Sequence, residues 1–199
     1  YLSIPIVKSV KEAMKQFPDI NTGLVFVAPN RATQAAMDLL NEKEIKLVSM
    51  ITEGVPEKDA KLLIKHAKKV KKVFNGPSAI GIISAGQCRL GVVGGEFNNL
   101  KLSKLHRAGS FGVLTKSGGL TNELCWMTSQ FGDGITTAVG VGGDTYPGSD
   151  FVTYLEMFEK DPKTKAVVLV GEMGGDLEEK AADWYGAKKR RIRLIAAIA

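Results

Sequence analysis

The polar residues best suited to chemistry are concentrated in glycine-rich turns that follow apolar runs of the sequence. Four such turns cover residues 52–56, 115–123, 142–149 and 171–176. The runs before them are typical of buried strands, and most of the segments after them have helical spacing. In α/β sheets of this kind, ligands bind outside the carboxyl ends of the strands, where loops and helix N-termini converge. The turns are therefore the predicted location of a functional site.

Ser117-Gly118-Gly119 opens a predicted helix and has the features of an anion-binding turn. Glycine lets a ligand approach the backbone, the first N–H groups of a helix lack partners within it, and the helix dipole favours negative charge. A β-branched side chain at Gly118 is therefore predicted to block the anion. A tight turn without a ligand is the alternative, because glycine-rich turns are common where a strand meets a helix.

Two glutamates, Glu53 and Glu172, follow apolar runs in other turns. A carboxylate at a strand end can act as an acid or base, or can orient a histidine. Helix capping or a salt bridge is the alternative for both. The histidines, His66 and His106, belong to no nucleophile or metal constellation in the sequence, so both are predicted to be solvated.

The composition is that of an ordinary globular protein with a mild positive charge. Of its 199 residues, 44% are hydrophobic and 24% are charged, and the formal net charge is +6. No apolar run approaches the roughly 18 residues of a membrane span, and no secretory signal is recognised. The basic runs 61–72 and 188–191 lack a nucleic-acid motif, which favours solvated helix faces over attraction of an anionic partner. We expect neither a nucleic-acid nor a membrane partner.

The two cysteines, Cys88 and Cys125, are far apart in sequence and lack the spacing of metal ligands. Their pattern favours a reduced, cytoplasmic protein without a metal site. The sequence begins at Tyr1 rather than at a methionine and stops within an apolar run. It is therefore expected to be a fragment of a larger chain.

The alternation of apolar runs and helical patterns predicts an α/β fold with two doubly wound parallel sheets. In the first unit, strands are predicted near 24–27, 47–51 and 72–74, with helices between them. The Gly-rich segment 78–108 is predicted to be an irregular crossover. In the second unit, the predicted strands are 109–114, 135–139, 166–170 and 192–198, and the predicted helices are 121–131, 150–160 and 177–187. In the first of these helices, the predicted shared face consists of Leu120, Leu124, Met127 and Phe131.

Five segments together resemble the α-type half of the acyl-CoA synthetases that form a phosphohistidine, and the resemblance covers essentially the whole chain. The segments are 51–56, 75–77, 117–118, 142–144 and 171–175. Each is weak alone, but they occur in the family's order at plausible spacing. The resemblance implies a Rossmann-like CoA-binding part in residues 1–77, a crossover and loop in 78–108, and a flavodoxin-like CoA-ligase domain in 109–199. This last domain is expected to stop before the phosphohistidine motif.

Within that superfamily, three segments are more similar to ATP-citrate lyase and citryl-CoA synthetase than to succinate–CoA ligase. These are 98–105, 117–124 and 142–149, and Asn122 stands where the succinate enzymes typically carry a tyrosine. In contrast, residues 158–162 are similar to the succinate enzymes. A succinate–CoA ligase α subunit and a CoA-binding module without its own chemistry therefore remain as alternatives.

The resemblance also implies roles for individual residues. The CoA site would be lined by Ala28, Pro29, Asn30, Thr52, Gly54 and Ser78. Glu53 would act near the CoA thiol, and Glu172 would orient the phosphorylated histidine. The N–H groups of Ser117, Gly118 and Gly119 would bind the phosphoryl group and a citrate carboxylate, and Asn122 would lie near the substrate. We then expect the loops that carry Glu53, Glu172 and Ser117 to lie at the carboxyl edges of their sheets. Ser117 and Glu172 are expected at the same edge.

The function implied is formation of citryl-CoA from citrate, CoA and ATP. ATP and Mg²⁺ would bind to a β-type ATP-grasp subunit or domain, and the enzyme would be a hetero- or homo-oligomer. The family's first Gly-rich CoA loop and its Gly-His-Ala-Gly motif are expected outside these residues. The fragment alone is therefore predicted to be inactive.

Overall fold

The computed structural model describes residues 4–199, so the first three residues of the predicted 1–77 part lie outside the described residues. The described chain forms seven helices and nine strands. The helices are α1 (Val10–Gln16), α2 (Pro29–Asn41), α3 (Glu57–Lys69), α4 (Phe97–Leu102), α5 (Gly118–Phe131), α6 (Phe151–Lys160) and α7 (Leu177–Gly186). The strands are β1 (Thr22–Val25), β2 (Leu47–Met50), β3 (Val73–Asn75), β4 (Gly81–Ser84), β5 (Cys88–Gly91), β6 (Phe111–Thr115), β7 (Ile135–Gly140), β8 (Ala166–Gly171) and β9 (Arg193–Ile198).

The first sheet is parallel, with the strand order β1-β2-β3. Helices α2 and α3 pack on it with their apolar stripes, and their polar faces point to solvent. The core of this unit includes Val25, Val48, Met50, Ala32, Ala36, Leu40, Leu63 and Phe74. The predicted β-α-β-α-β unit is confirmed.

The second sheet has six strands in the order β5-β4-β7-β6-β8-β9. Its parallel part, β7-β6-β8-β9, has the order typical of flavodoxin-like sheets, which confirms the predicted fold class. Successive residues of a strand point to opposite faces. Val113 accordingly packs in the cluster that contains Cys125 of α5, while Leu114 packs in the cluster of α6 and α7.

Residues 78–108 are not the irregular crossover that the sequence predicts. They contain the antiparallel hairpin β4–β5, which extends the second sheet beside β7, and helix α4. The glycines that suggested a loop instead allow close contact between backbones. Gly81 has a φ of +111°, and a Cβ there would lie 1.9 Å from the carbonyl oxygen of Leu90. The domain boundaries remain a prediction.

Helix α5 turns a different face to the sheet from the one that the sequence predicts. Its buried residues are Thr121, Cys125 and Ser129, whereas Phe131 is 84% exposed. Small side chains let the helix lie close to β6 and β7. The hydroxyls of Thr121 and Ser129 donate to the carbonyls of Ser117 and Trp126, so burial leaves neither unpaired. Apolar periodicity was therefore misleading for this helix.

A buried asparagine joins the two sheets. The Nδ2 group of Asn75, at the end of β3, donates to the carbonyl oxygen of Gly140 at 3.0 Å and to the hydroxyl of Tyr154 at 3.3 Å. Its Oδ1 atom accepts a hydrogen bond from Ser49 at 2.8 Å. Burial raises the pKa of Tyr154 above its usual value, so its hydroxyl stays protonated. Asn75 thus links β2, β3, β7 and α6.

The turn after β7 adds a second link between the sheets. The N–H of Gly148 donates to the carbonyl of Gly76 at 2.8 Å, and the hydroxyl of Ser149 accepts from the N–H of Phe74 at 3.1 Å. A Cβ on Gly148 would lie 2.2 Å from the Phe74 carbonyl oxygen, so only glycine permits this approach. The two units are therefore held together at the end of β3.

We expect Asn75→Leu to destabilise the protein strongly. The change leaves the hydroxyl of Ser49 and the carbonyl of Gly140 without their buried partner, which typically costs about 1–3 kcal/mol for each group. Urea unfolding measures the loss. Asn41→Leu is the control, because Asn41 bonds to His66 at the exposed surface and its loss should cost about 0.5 kcal/mol or less. Equal stability of the two variants would contradict the role given to Asn75.

Candidate functional site

The loops that carry Ser117 and Glu172 leave the same edge of the second sheet, as the sequence predicts. Strands β6 and β8 are parallel neighbours with Thr115 opposite Val170, so their carboxyl ends lie side by side. The chain continues from β6 to β7 on one side and reaches β8 on the other. This reversal of strand order opens the crevice in which such sheets bind ligands.

Ser117 caps α5 and leaves two N–H groups available at its start. The Ser117 hydroxyl accepts from the N–H of Leu120 at 3.4 Å, and the Ser117 carbonyl accepts from the N–H of Thr121 at 3.0 Å. The first N–H groups of a helix have no partner within it. Gly118 and Gly119 therefore supply the donors that remain for a ligand.

The two glycines face different surroundings. A Cβ on Gly118 would lie 3.3 Å from the Cβ of Ile80, so it would press against the protein and not enter the crevice. A Cβ on Gly119 would meet only the Ser117 hydroxyl oxygen, at 4.0 Å. The position at which a side chain would obstruct an anion is therefore Gly119, which corrects the prediction made for Gly118.

Asn122 lies one turn into α5 and contributes to a polar cleft of about 420 Å³. Its Oδ1 atom accepts from the N–H of Gly94 at 2.7 Å, which ties α5 to the segment after β5. The cleft is lined by Gly94, Asn99, Leu102, Ser103, Gly119, Asn122, Glu123 and Trp126. Gly119 and Asn122 thus line one side of this cleft, and α4 with its C-cap residue Ser103 lines the other side.

The Glu172 loop is held by an ion pair that the sequence analysis missed. Glu178, in the first turn of α7, accepts through Oε1 from the N–H of Glu172 at 3.1 Å and from Lys116 Nζ at 2.9 Å. Lys116 also donates to the carbonyl of Gly174 at 3.1 Å. Glu178 was missed because it lies in the charged run Glu178-Glu179-Lys180, which is typical of a solvated helix. The sequence signal that could have found this pair was the opposite charge of Glu178 and Lys116, which follow neighbouring strands.

Glu172 also lines a larger cleft of about 760 Å³ at this edge. Its other walls come from the turn after β7 and from α3 of the first unit, including Tyr146 and Lys68. The ring of Tyr146 lies 4.1 Å from the ammonium of Lys61, also in α3. Residues of both units therefore border the space beside Glu172.

At the carboxyl edge of the first sheet, hydrogen bonds tie three loops together. Thr52, after β2, donates from its hydroxyl to the carbonyl of Val27 at 2.8 Å. Its own carbonyl accepts from the N–H of Ser78, after β3, at 3.1 Å. The side chain of Thr52 is buried and so holds the loops, whereas Ser78 is half-buried with a φ of +56°.

The other predicted residues at this edge are exposed. They are Ala28, Pro29, Asn30, Glu53 and Gly54. Ala28 is the N-cap of α2 and Pro29 is the first residue of the helix. The side chain of Ala28 therefore makes no capping hydrogen bond to the helix. Gly54 has a φ of +71°, which explains glycine in this turn. The loops form an open surface with a single carboxylate, Glu53.

The arginines of the basic run 188–191 and the two cysteines have structural or surface positions. Arg190 stacks on Trp184 at 3.5 Å, and Arg191 donates to the Phe158 carbonyl at 2.7 Å near the C-terminus of α6. The basic run 188–191 is therefore more than a solvated face.

Both cysteines are free, and burial raises the pKa of the Cys125 thiol to about 12. Residues 4–199 contain no cluster of three or more His, Cys, Asp or Glu side chains suited to a metal ion. No helix in this range is long and apolar enough to cross a membrane.

Two family models match parts of the chain. A model described as CoA-ligase matches residues 114–199, which include the switch-point loops of the second sheet. A model described as CoA binding domain matches residues 1–54, which include β1, β2 and the turn of Glu53. The matches thus fall on the two sheets separately.

Curated relatives are named as ATP-citrate synthases. The probable ATP-citrate synthase subunit 1 of Neurospora crassa is 38% identical over 180 residues, which are 90% of this chain and 27% of the relative. The probable ATP-citrate synthase of Dictyostelium discoideum is 40% identical over 174 residues, which are 87% of this chain and 28% of the relative. The chain thus spans little more than a quarter of the length of these relatives.

Solved structures of ATP citrate lyases match the same chain. The ATP citrate lyase from Methanothrix soehngenii, in complex with citrate and coenzyme A, is 33% identical with a TM-score of 0.93, over 96% of this chain and 31% of that one. A mutant of Methanosaeta concilii ATP citrate lyase in complex with (3S)-citryl-CoA is 34% identical with a TM-score of 0.94, over 98% and 32%. This chain therefore belongs to the ATP-citrate synthase family and corresponds to its CoA-binding and CoA-ligase region.

Proposed function

We propose that this chain forms the CoA-ligating core of an enzyme that makes citryl-CoA from citrate, CoA and ATP through a phosphohistidine. The observation that carries this proposal is the meeting of two loops at the switch point of the second sheet. One loop offers the N–H groups of Gly118 and Gly119, and the other carries Glu172. Phosphoryl transfer needs positioning and charge stabilisation more than covalent chemistry from the protein, and these groups supply both.

In this mechanism, a histidine outside residues 4–199 takes the phosphoryl group from ATP. ATP and Mg²⁺ bind to an ATP-grasp partner region. A citrate carboxylate oxygen then attacks phosphorus, the N–P bond breaks, and citryl-phosphate forms. The CoA thiolate attacks the acyl carbon, the C–O bond breaks, and phosphate leaves. Gly118 and Gly119 bind the phosphoryl oxygens, while Glu172 accepts a hydrogen bond from the other imidazole nitrogen.

CoA binds, in this proposal, at the carboxyl edge of the first sheet. The surface formed by the three tied loops is exposed and continuous with the end of β3, where the two units join. Ala28, Pro29, Asn30, Gly54 and Ser78 contact CoA, and Thr52 holds their loops. Glu53, the carboxylate of this surface, acts as the base or orienting group for the thiol.

Citrate binds beside Gly119 and Asn122. Two of the segments that distinguish the citrate enzymes, 98–105 and 117–124, form opposite walls of the same polar cleft, which supports this choice. The cleft contains one carboxylate, Glu123, and no cation among its lining residues. We therefore infer that cations elsewhere in the complete enzyme neutralise the other carboxylates of citrate.

The succinate alternative loses its sequence support. The segment 158–162, which resembles the succinate enzymes, lies at the end of α6 and leads to the amino end of β8, opposite the switch-point edge. Its residues have structural roles there. Phe158 is in the core, and Asp161 accepts from the hydroxyl of Thr164 at 2.6 Å. This segment therefore does not bear on the choice of acid.

We expect the complete enzyme to ligate citrate far better than succinate, because Asn122 leaves a polar cleft where a tyrosine would fill it. Acid-dependent release of ADP, measured with each acid at equal concentration, tests this. Asn122→Tyr should lower turnover with citrate more than Asn99→Ala, a change in the opposite wall. Comparable or greater turnover with succinate would overturn the citrate proposal.

The third reading, a CoA-binding module without its own chemistry, makes a different prediction. Such a protein would bind CoA but would form no phosphohistidine when given ATP.

The free thiols of Cys88 and Cys125 support the proposed cytoplasmic location. The oligomeric assembly with an ATP-grasp region remains part of the proposal.

A further inference from the structure

The pair Lys116–Glu178 differs from the other ion pairs within residues 4–199. Its side chains are only 11% and 13% exposed, whereas those of Asp176 and Lys180 are more than half exposed. Exposed pairs contribute little to stability, and enclosing a pair costs desolvation energy that its attraction often fails to recover. Stability is therefore a weak reason for enclosing these two charges at a strand end.

The contacts of the pair converge on the loop of Glu172. Lys116 extends from the end of β6 to the carbonyl of Gly174 at 3.1 Å and to Glu178 Oε1 at 2.9 Å. The same oxygen accepts from the N–H of Glu172 at 3.1 Å. The residue next to Lys116 is Ser117, which caps α5. The pair thus fixes the backbone of Glu172 relative to the start of α5.

The protein leaves room for Glu178 at the end of β8. A Cβ on Gly171 would lie 2.3 Å from Cγ of Glu178 and 2.6 Å from its Oε1 atom. Any larger residue at Gly171 would push the Glu178 side chain away from Lys116. The carboxylate of Glu172 takes no part in the ion pairs within residues 4–199, so it stays available for another group.

We propose that Lys116 and Glu178 are positioning residues that hold Glu172 and the Gly118-Gly119 N–H groups in register for the phosphohistidine. This inference rests on the proposed function and extends it to two residues to which that function gives no role. A misplacement of about 1 Å in such a site can cost about 10²-fold in rate. Loss of the pair should therefore lower the rate of histidine phosphorylation without changing the apparent affinity for ATP.

The test is a graded set of variants in the complete enzyme, assayed for phosphohistidine formed from ATP labelled at the γ-phosphate. Glu178→Ala removes both contacts and should lower the rate by about 10²-fold. Glu178→Gln keeps an acceptor for the Glu172 N–H but loses the charge, so its rate should be intermediate. Lys116→Arg keeps the cation and should retain a rate within a few-fold of wild type. Glu57→Gln breaks an exposed pair in α3 whose carboxylate lies outside the cleft of Glu172, and it should have little effect.

The outcomes separate this inference from the proposed function. If wild type forms phosphohistidine and Glu172→Gln lowers its yield, but Glu178→Ala and Glu178→Gln do not, the positioning role is wrong and the function stands. If wild type forms no phosphohistidine, the proposed function fails first. CoA binding to each variant checks folding. A uniform loss in Lys116→Arg and Glu57→Gln as well would indicate general instability and would also overturn the positioning role.

Discussion

Replacing Glu53 with glutamine in the complete enzyme should slow thioester formation by about 10²–10⁴-fold, which is the usual contribution of one acid–base group. Glu53 is exposed at the end of β2, on the surface that we assign to CoA. Glutamine keeps the shape of the side chain but cannot accept the thiol proton. Histidine phosphorylation should stay nearly normal, because we assign that step to the switch point of the second sheet. Rapid-quench measurement of citryl-CoA and phosphohistidine separates the two steps.

Glu57→Gln is the matched control for this experiment. Glu57 lies four residues later in the first turn of α3, where it forms an exposed ion pair with Lys61 at 3.6 Å. Its loss should leave both steps close to wild type. Normal thioester formation in Glu53→Gln would return Glu53 to a structural role in its turn.

Gly119→Val should nearly abolish histidine phosphorylation while leaving the fold intact. The valine side chain would project beside the Ser117 hydroxyl, into the open cleft that Gly119 lines. Loss of one backbone-type donor to a developing oxyanion costs about 10²–10³-fold in rate, and obstruction of both donors should cost at least as much. The phosphoenzyme yield with ATP labelled at the γ-phosphate measures the effect.

Gly118→Ala provides the comparison, because its methyl group would point at Ile80 and away from the crevice. This variant should lose some stability through crowding but retain phosphorylation when correctly folded. Equal phosphorylation in the two variants would show that the phosphoryl group does not bind at the start of α5.

The sequence predicted best what depends on local pattern. The buried runs at β2 and β8 and the apolar stripe of α3 specify their elements without reference to the rest of the chain. The placement of Ser117 and Glu172 at one edge followed from the parallel topology alone. The resemblance to the family supplied the roles of these residues, which the pattern could not.

The features that the sequence did not reveal depend on contacts between distant residues. The hairpin β4–β5 was hidden because its glycines serve close backbone contact, as at Gly81. The buried face of α5 consists of Thr121, Cys125 and Ser129, and backbone carbonyls accept hydrogen bonds from the two hydroxyls. The ion pair of Lys116 with Glu178 joins residues that are adjacent only after the sheet has formed.

The central claim is tested most directly by discharge of the phosphorylated enzyme. The complete enzyme is first labelled with ATP carrying a radioactive γ-phosphate, freed of nucleotide, and then given citrate and CoA, or succinate and CoA. We predict an acid-labile phosphohistidine that citrate with CoA discharges rapidly, with formation of citryl-CoA or its cleavage products, and that succinate with CoA leaves largely intact. Absence of the phosphohistidine, or faster discharge by succinate, would contradict the account.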